Sequence, residues 1–281
     1  MTRVTRSPSR FAGVLILLAA QLVPGHSALA QIPPDSLQPH PTAPIGVCAT
    51  PVPFGVGERM EFSVQWGVLS VGEARVAVTG LDTVRGHPTY VLDWTLQGGV
   101  PLARVNDHYR SWMDVRSLAS RRYIQDIHQV RRERLRHFEL YPEERRYDFV
   151  GVEEGLDLLS DTPLDDISFV FYLRTLPLEL DEELIFNRYF REHGNPVKVQ
   201  VLRREEVTVP AGTFPSVVVR PIIRSRGLWD EDSDAEVHLS DDEDRRILRV
   251  RMRAPALGSL TMELTSFTPG EPLHEPLHGT C

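Results

Sequence analysis

The chain has 281 residues, with 39 acidic against 31 basic side chains, two cysteines and a hydrophobic content of 41%. That length suits one large domain or two small ones, and the ordinary composition excludes collagen, coiled coil and wholesale disorder. Two cysteines are too few for a disulfide-dense miniature scaffold or a four-cysteine zinc site.

Arg3, Arg6 and Arg10 precede an apolar run from Phe11 to Val23, which Pro24 and Gly25 break. Ala28-Leu29-Ala30 then offers the small residues that a signal peptidase accepts, so residues 1–30 read as a signal peptide cleaved after Ala30. The expected location of the mature chain is periplasmic or secreted. The run is 13 residues long, too short to cross about 30 Å of hydrocarbon, and no transmembrane segment is expected later. No cysteine follows the cut, which argues against a lipid-anchored lipoprotein. Cleavage takes three arginines and no acid, leaving 28 basic against 39 acidic groups, a net charge of −11. That balance argues against nucleic acid as a partner and against adsorption to anionic membrane. The basic run Arg131 to Arg136 reads as a solvated strand face.

Residues 31–53 hold seven prolines and few bulky apolar side chains, the pattern of a flexible leader. Residues 269–281, with Glu-Pro-Leu-His twice in succession, read as a flexible C-terminal tail. Between them, 54–268 is expected to form a single β-rich domain. Its signal is period two. Met60, Phe62, Val64 and Trp66 alternate with polar residues, and the pattern returns at 74–78, 90–96, 197–201, 235–239, 248–252 and 260–264. Each run has one apolar and one wet face, as antiparallel strands do. Turn residues separate the runs, among them Arg85-Gly86 and Gly194-Asn195-Pro196. One helix interrupts the series near 163–176, with Thr162 as its expected cap, Pro163 at the first helical position and Pro177 as its stop. The fold class is therefore all-β and mainly antiparallel: a strongly curved meander, an open or half-closed barrel, around one short helix.

Several stretches also resemble a known family. Phe54-Gly55-Val56-Gly57-Glu58-Arg59-Met60, leading to Trp66-Gly67 and Val71-Gly72-Glu73-Ala74, is similar to the opening of the exported bacterial proteins called domain of unknown function 3108. Val105 to Asp114 resembles its central segment, Asp166 to Arg174 its helix, and Val207 to Phe214 with Val237 to Asp242 its closing strands. The resemblance implies an exported β-rich domain with no established activity, and it supplies no catalytic or binding residue.

No chemical constellation stands out. Ser70 has Gly72 two residues on, but Val68 stands where a nucleophile elbow needs glycine, so Gly67 to Gly72 reads as a turn. Phosphate-loop, dinucleotide and zinc-helix motifs are absent. Asp230, Asp232 and Asp234, with Asp241, have the spacing of a calcium loop; Ala235 replaces its glycine, and an acidic hairpin is the simpler reading. His274, His278 and Cys281 have zinc-like spacing in a segment that Pro272 and Pro276 keep from being a helix. Cys48 and Cys281 are expected to pair as a disulfide after export; free or intermolecular thiols are the alternative. Asp107 and His108 are an acid and a base side by side, yet neighbours on a strand face opposite ways.

The sequence thus points to a non-catalytic exported cell-envelope protein without a cofactor. It would bind a lipid or other apolar ligand in its curved sheet, or else act as a scaffold that holds another envelope protein.

Overall fold

The computed structural model describes residues 49–100, 103–129, 132–224, 234–254 and 258–273. Residues 1–48, where a signal peptide and most of a leader are expected, and residues 274–281 of the expected tail lie outside the described residues. Among the described residues there are fourteen strands and one α-helix. The strands are β1 (Arg59–Trp66), β2 (Leu69–Val84), β3 (His87–Val100), β4 (Ala103–Asp114), β5 (Ser120–Gln129), β6 (Arg132–Tyr141), β7 (Arg146–Phe149) and β8 (Glu153–Asp157). After the helix α1 (Asp166–Leu173) come β9 (Glu183–Phe186), β10 (Val197–Val209), β11 (Gly212–Ile222), β12 (Glu236–Ser240), β13 (Ile247–Ala254) and β14 (Gly258–Thr268).

All fourteen belong to one antiparallel sheet, built as two meanders that meet at the β1–β14 pair. From β1 the chain runs outward to β8, and from β14 the order runs back through β13 to β9. The end strands β8 and β9 do not pair, so the sheet is not closed into a barrel. Alternation explains which face turns inward. On β1, Met60, Phe62 and Val64 are buried while Arg59 and Trp66 are exposed. Register shifts in β1, at Val78/Gly80 of β2 and at Val201/Arg203 of β10 add twist and curl the sheet. The β2–β3 turn places both Arg85 and Gly86 at positive φ, 49° and 82°, which matches the right-handed twist of the strands it joins.

The concave face closes on α1, whose Ile167, Phe169, Val170, Phe171 and Leu173 are all buried. The helix is shorter than the sequence led us to expect, and its cap differs. Asp165, not Thr162, accepts hydrogen bonds from the backbone N–H of Ile167 and Ser168, while the Ser168 hydroxyl accepts from the Asp165 N–H. Pro163 and Leu164 stay extended because neighbours claim their backbone. The Pro163 carbonyl accepts from Ser120, and Leu164 pairs with the chain at 188–190. At the other end Arg174 closes the helix, ahead of Pro177.

Ordered contacts also extend past the expected limits of the domain. Ala49 is buried, and the Thr50 N–H donates to Val115 at 2.8 Å. Val56 and Glu271 form an antiparallel bridge, so the two ends of the fold lie side by side. Among the described residues no helix is long and apolar enough to cross a membrane.

Candidate functional site in the concave face

Strand parity divides the polar-aromatic segment of β4 between two faces. Tyr109 and Met113 pack into the main core, whereas Trp112 joins Val84, Val91 and Ile124 on the outer side. Asp107 and His108 accordingly do not meet. Asp107 accepts from the His128 N–H at 3.0 Å, from Gln129 at 2.7 Å and from the Tyr109 hydroxyl at 3.4 Å. His108 pairs with Asp93 on the outer face, beside Arg110 (Nε at 2.8 Å) and the Thr79 hydroxyl (2.7 Å). Burial alone would raise the Asp93 carboxyl, but hydrogen bonds from His108 and Arg110 hold it at about 2. The hydroxyl is bonded to the carboxylate and not to the imidazole, so this trio does not activate a nucleophile.

A larger polar network lies on the concave side, at the N-terminus of α1. The Asp165 carboxylate is fully buried and accepts from Ser111 (2.6 Å) and Ser120 as well as from its two backbone donors. Asp166 next to it accepts from the hydroxyls of Tyr123 (2.8 Å) and Tyr189 (2.7 Å) and from Gln125 (3.2 Å). Arg136 donates to Gln125 at 3.2 Å. Burial, reinforced by the Asp166 charge, pushes the Tyr123 hydroxyl well up, and burial with the Asp107 charge does the same to Tyr109. Beside them, Tyr123, Phe138, Tyr147, Phe149 and Phe190 pack ring against ring at 4.8–6.4 Å. The Arg191 guanidinium lies over Phe138 (5.1 Å) and Phe190 (4.8 Å); burial disfavours its charge, but Tyr189, Asp166, Tyr123 and Tyr147 nearby hold its proton above the ordinary arginine range. Such a concentration of shifted groups in one concavity is the mark of a candidate site.

Asp165 gives this network a pH signature. Burial pushes its carboxyl up to about 6, against the hydrogen bonds from Ser111, Ser120 and the Ser168 N–H. The folded state therefore binds this proton more tightly than the unfolded chain does. Stability from this group falls as pH rises from about 4 to about 6, by up to about 3 kcal/mol, and is level on either side. Asp165→Asn is expected to remove that slope. Urea titrations of both proteins at pH 4, 5, 6 and 7 should show their stability difference moving across this window, and a constant difference would refute the assignment.

Next to the network the lining becomes wholly apolar. A void of about 10 Å³ separates α1 from the central strands, walled by Phe62, Trp94, Val170, Leu173, Val250 and Met262 among others. That is room for one water or a methyl group, and no polar atom would hold a water there.

The remaining residues singled out from the sequence stay apart. Ser70 sits exposed at the start of β2, paired with Gln65. Asp234 is 3.0 Å from Arg220, while Asp241 is 2.9 Å from Arg204 and 3.4 Å from Arg245. Strand β12 lies between these two acids, so they do not converge as calcium ligands; Asp230 and Asp232 lie outside the described residues. Cys48, His274, His278 and Cys281 lie outside them too. Among the described residues no group of three His, Cys, Asp or Glu side chains could hold a metal ion. His238 is buried on β12, with Glu205 3.4 Å from one ring nitrogen and Glu236 3.8 Å from the other. Burial and the Arg249 charge push it down to about 4, and both carboxylates are already held by the guanidinium of Arg203.

The sequence did not point to Tyr123, Gln125, Arg136, Asp166, Tyr189 or Arg191 as parts of one site. A signal was present for two of them. Gln125 and Arg136 occupy the same parity as Tyr123 and Phe138, so each is a polar residue on the apolar face of its strand.

Comparison with known proteins places this geometry in context. The family model described as "Protein of unknown function (DUF3108)" matches residues 61–265. A comparison with curated proteins finds no match. Three solved structures are similar. One is a β-barrel-like protein of domain of unknown function DUF1849 from Brucella abortus, with 10% identity, 77% of this chain and 98% of that chain covered, and a TM-score of 0.49. Another is a protein from Bacteroides fragilis, described as exported and with a YmcC-like fold, at 12% identity, 79% and 100% coverage and a TM-score of 0.31. The third is described as a lipoprotein, from Parabacteroides distasonis, at 9% identity, 79% and 100% coverage and a TM-score of 0.33. None of the three lends this chain a function.

Proposed function

Because the chain belongs to DUF3108, a family of unknown function, we propose a role from the geometry itself: a non-catalytic, exported cell-envelope protein that binds one amphipathic molecule, such as a lipid, in its curved sheet. One observation carries this reading. A single concave face holds both a wholly apolar floor beneath α1 and an aromatic cluster over which the Arg191 guanidinium lies, with the Asp166 charge and its tyrosines near it. An apolar chain on the floor and a polar head among Arg191, Asp166 and the tyrosine hydroxyls would satisfy both halves.

The void of about 10 Å³ is far smaller than a ligand pocket, which runs to roughly 300 Å³ or more. Entry of a chain therefore requires α1 to swing away from the floor. The pattern of residues 1–30 supports export, and the Thr79 hydroxyl, bonded to Asp93 and not to His108, supports a binding role over catalysis at that trio. Delipidated protein is expected to take up a fluorescent fatty acid at one molecule per chain and to release it unaltered. Uptake that never saturates, or the appearance of a product, would overturn the proposal.

A second reading, an assembly factor for another envelope protein, is favoured by the unpaired edges of β8 and β9. Cross-linking in the native cell distinguishes it: a reproducible protein partner is expected from a scaffold, and a chain found only as monomer contradicts one.

A further inference from the structure

Strand parity divides the basic run of β6. Glu133 and Leu135 lie on the outer face with His137, whereas Arg134 and Arg136 share the concave face with Phe138. Both arginines are half-buried. Inward positions of this sheet are otherwise mostly apolar, and a guanidinium set among them gives up hydration that packing alone does not return. In a chain whose mature form carries an expected net charge of −11, two inward arginines about 7 Å apart along one strand are a local exception.

The register shows what they face. One row of paired residues runs from Val76 and Trp94, which line the apolar void, through Tyr109 and Gln125 to Arg136. In the next row toward the β5–β6 turn, Ile127 pairs with Arg134. From Trp94 to Arg136 the concave face thus grades from apolar to cationic over three strand steps, about 14 Å. Arg136 also joins the polar network at the start of α1. It donates to the Gln125 Oε1 at 3.2 Å, and the Gln125 amide nitrogen reaches Asp166 at 3.2 Å.

The sheet ends at this height. Strand β7 pairs with Phe138 to Tyr141 only, so among the described residues no strand follows β6 beside Arg134 and Arg136. The two arginines therefore stand on a free edge, where a polar head can stay near water while its chain reaches inward. Neighbouring acids are set apart from them. Glu133 and Asp126 have the outer parity. Asp107 faces inward from β4, two strand steps or about 10 Å from β6, and takes hydrogen bonds from the His128 N–H, Gln129 and Tyr109. Asp166 takes its own from Tyr123, Tyr189 and Gln125.

Resting on the reading that this concavity binds an amphipathic molecule, we propose that Arg134 and Arg136 select its charge class: a single-chain amphiphile whose carboxylate head is held between the two guanidiniums at the free edge of β6. The planar fork of a guanidinium matches the two oxygens of a carboxylate, and charge-assisted bonds of this kind are the strong ones. The row through Gln125 and Tyr109 then leads the chain from the head toward the apolar floor.

The test is calorimetric titration of the full mature protein with laurate, with dodecanol, which has the same chain length and a neutral head, and with dodecylammonium. The wild type should bind laurate about tenfold or more tightly than dodecanol, and dodecylammonium most weakly. Arg134→Gln with Arg136→Gln should bring the ratio between laurate and dodecanol close to one, and Arg134→Lys with Arg136→Lys, which keeps the charge but not the fork, should retain part of it. Both positions are half-buried at an edge, so melting temperatures should stay close to that of the wild type. Equal binding of laurate and dodecanol by the wild type, or a glutamine variant that keeps the preference, would overturn this assignment while leaving the concavity as a binding site. Binding of none of the three would overturn both.

Discussion

Replacing Arg174 with methionine is expected to destabilise the protein by about 3–5 kcal/mol, with unfolding that begins at the seat of α1. The Arg174 side chain has no exposed surface, and all its donor nitrogens are committed. Nη1 and Nη2 donate to the two Glu58 oxygens at 2.6 and 2.9 Å, Nη2 also reaches the carbonyls of Pro53 (3.0 Å) and Asp244 (2.9 Å), and Nε donates to the Arg245 carbonyl at 3.0 Å. Three segments distant in sequence therefore meet at one guanidinium: the entry to β1, the end of α1 and the β12–β13 turn. Phe54 and Phe171 flank it at 5.4 and 5.6 Å. Methionine fills much of the volume but strands the buried Glu58 carboxylate and three carbonyls. Adding Glu58→Gln should recover part of the loss, since the stranded charge is its largest component. Denaturant melts of the single and double variants measure this, and a loss below about 1 kcal/mol for Arg174→Met would refute the role.

The second large effect concerns the joined ends of the chain. The Val56–Glu271 bridge lays the two flanking segments side by side. Cys48 is eight residues before that bridge and Cys281 ten residues after it. At about 3.3 Å per residue either segment can span the gap between them, so the two thiols are expected to form a disulfide. Closing so long a loop in the unfolded chain stabilises the fold by up to about 5 kcal/mol, less whatever freedom the segments keep when folded. Cys48→Ser with Cys281→Ser should lower the melting temperature by several degrees, and reductant should have the same effect on the wild type. Intact mass under oxidising conditions should be two hydrogens below that of the reduced chain. Two titratable thiols in the untreated exported protein would contradict the pairing.

Much of the sheet was legible because side-chain parity is a strict consequence of strand geometry. The apolar series at 60–66, 90–96 and 248–252 all lie on strands, and Arg85-Gly86 is a turn whose two positive φ angles suit a tight hairpin. The helix was legible as an element but not in its limits. Pro163 has the right chemistry for a first helical position, yet the Ser120 and Phe190 N–H groups, far away in sequence, take the Pro163 and Leu164 carbonyls. The site was the least legible part. Asp166, Tyr123 and Tyr189 come from α1, β5 and the segment before β10, and only the curl of the sheet brings them together. Arg174 and Glu58 are 116 residues apart, and each alone looks like an ordinary surface charge.

Native mass spectrometry of protein purified gently from its own cell envelope tests the central claim most directly. A 1:1 adduct of lipid mass, lost on unfolding, is the result expected of a concave face that houses an amphipathic molecule. A spectrum showing only the bare chain, from protein that also declines fatty acid offered in solution, would contradict it.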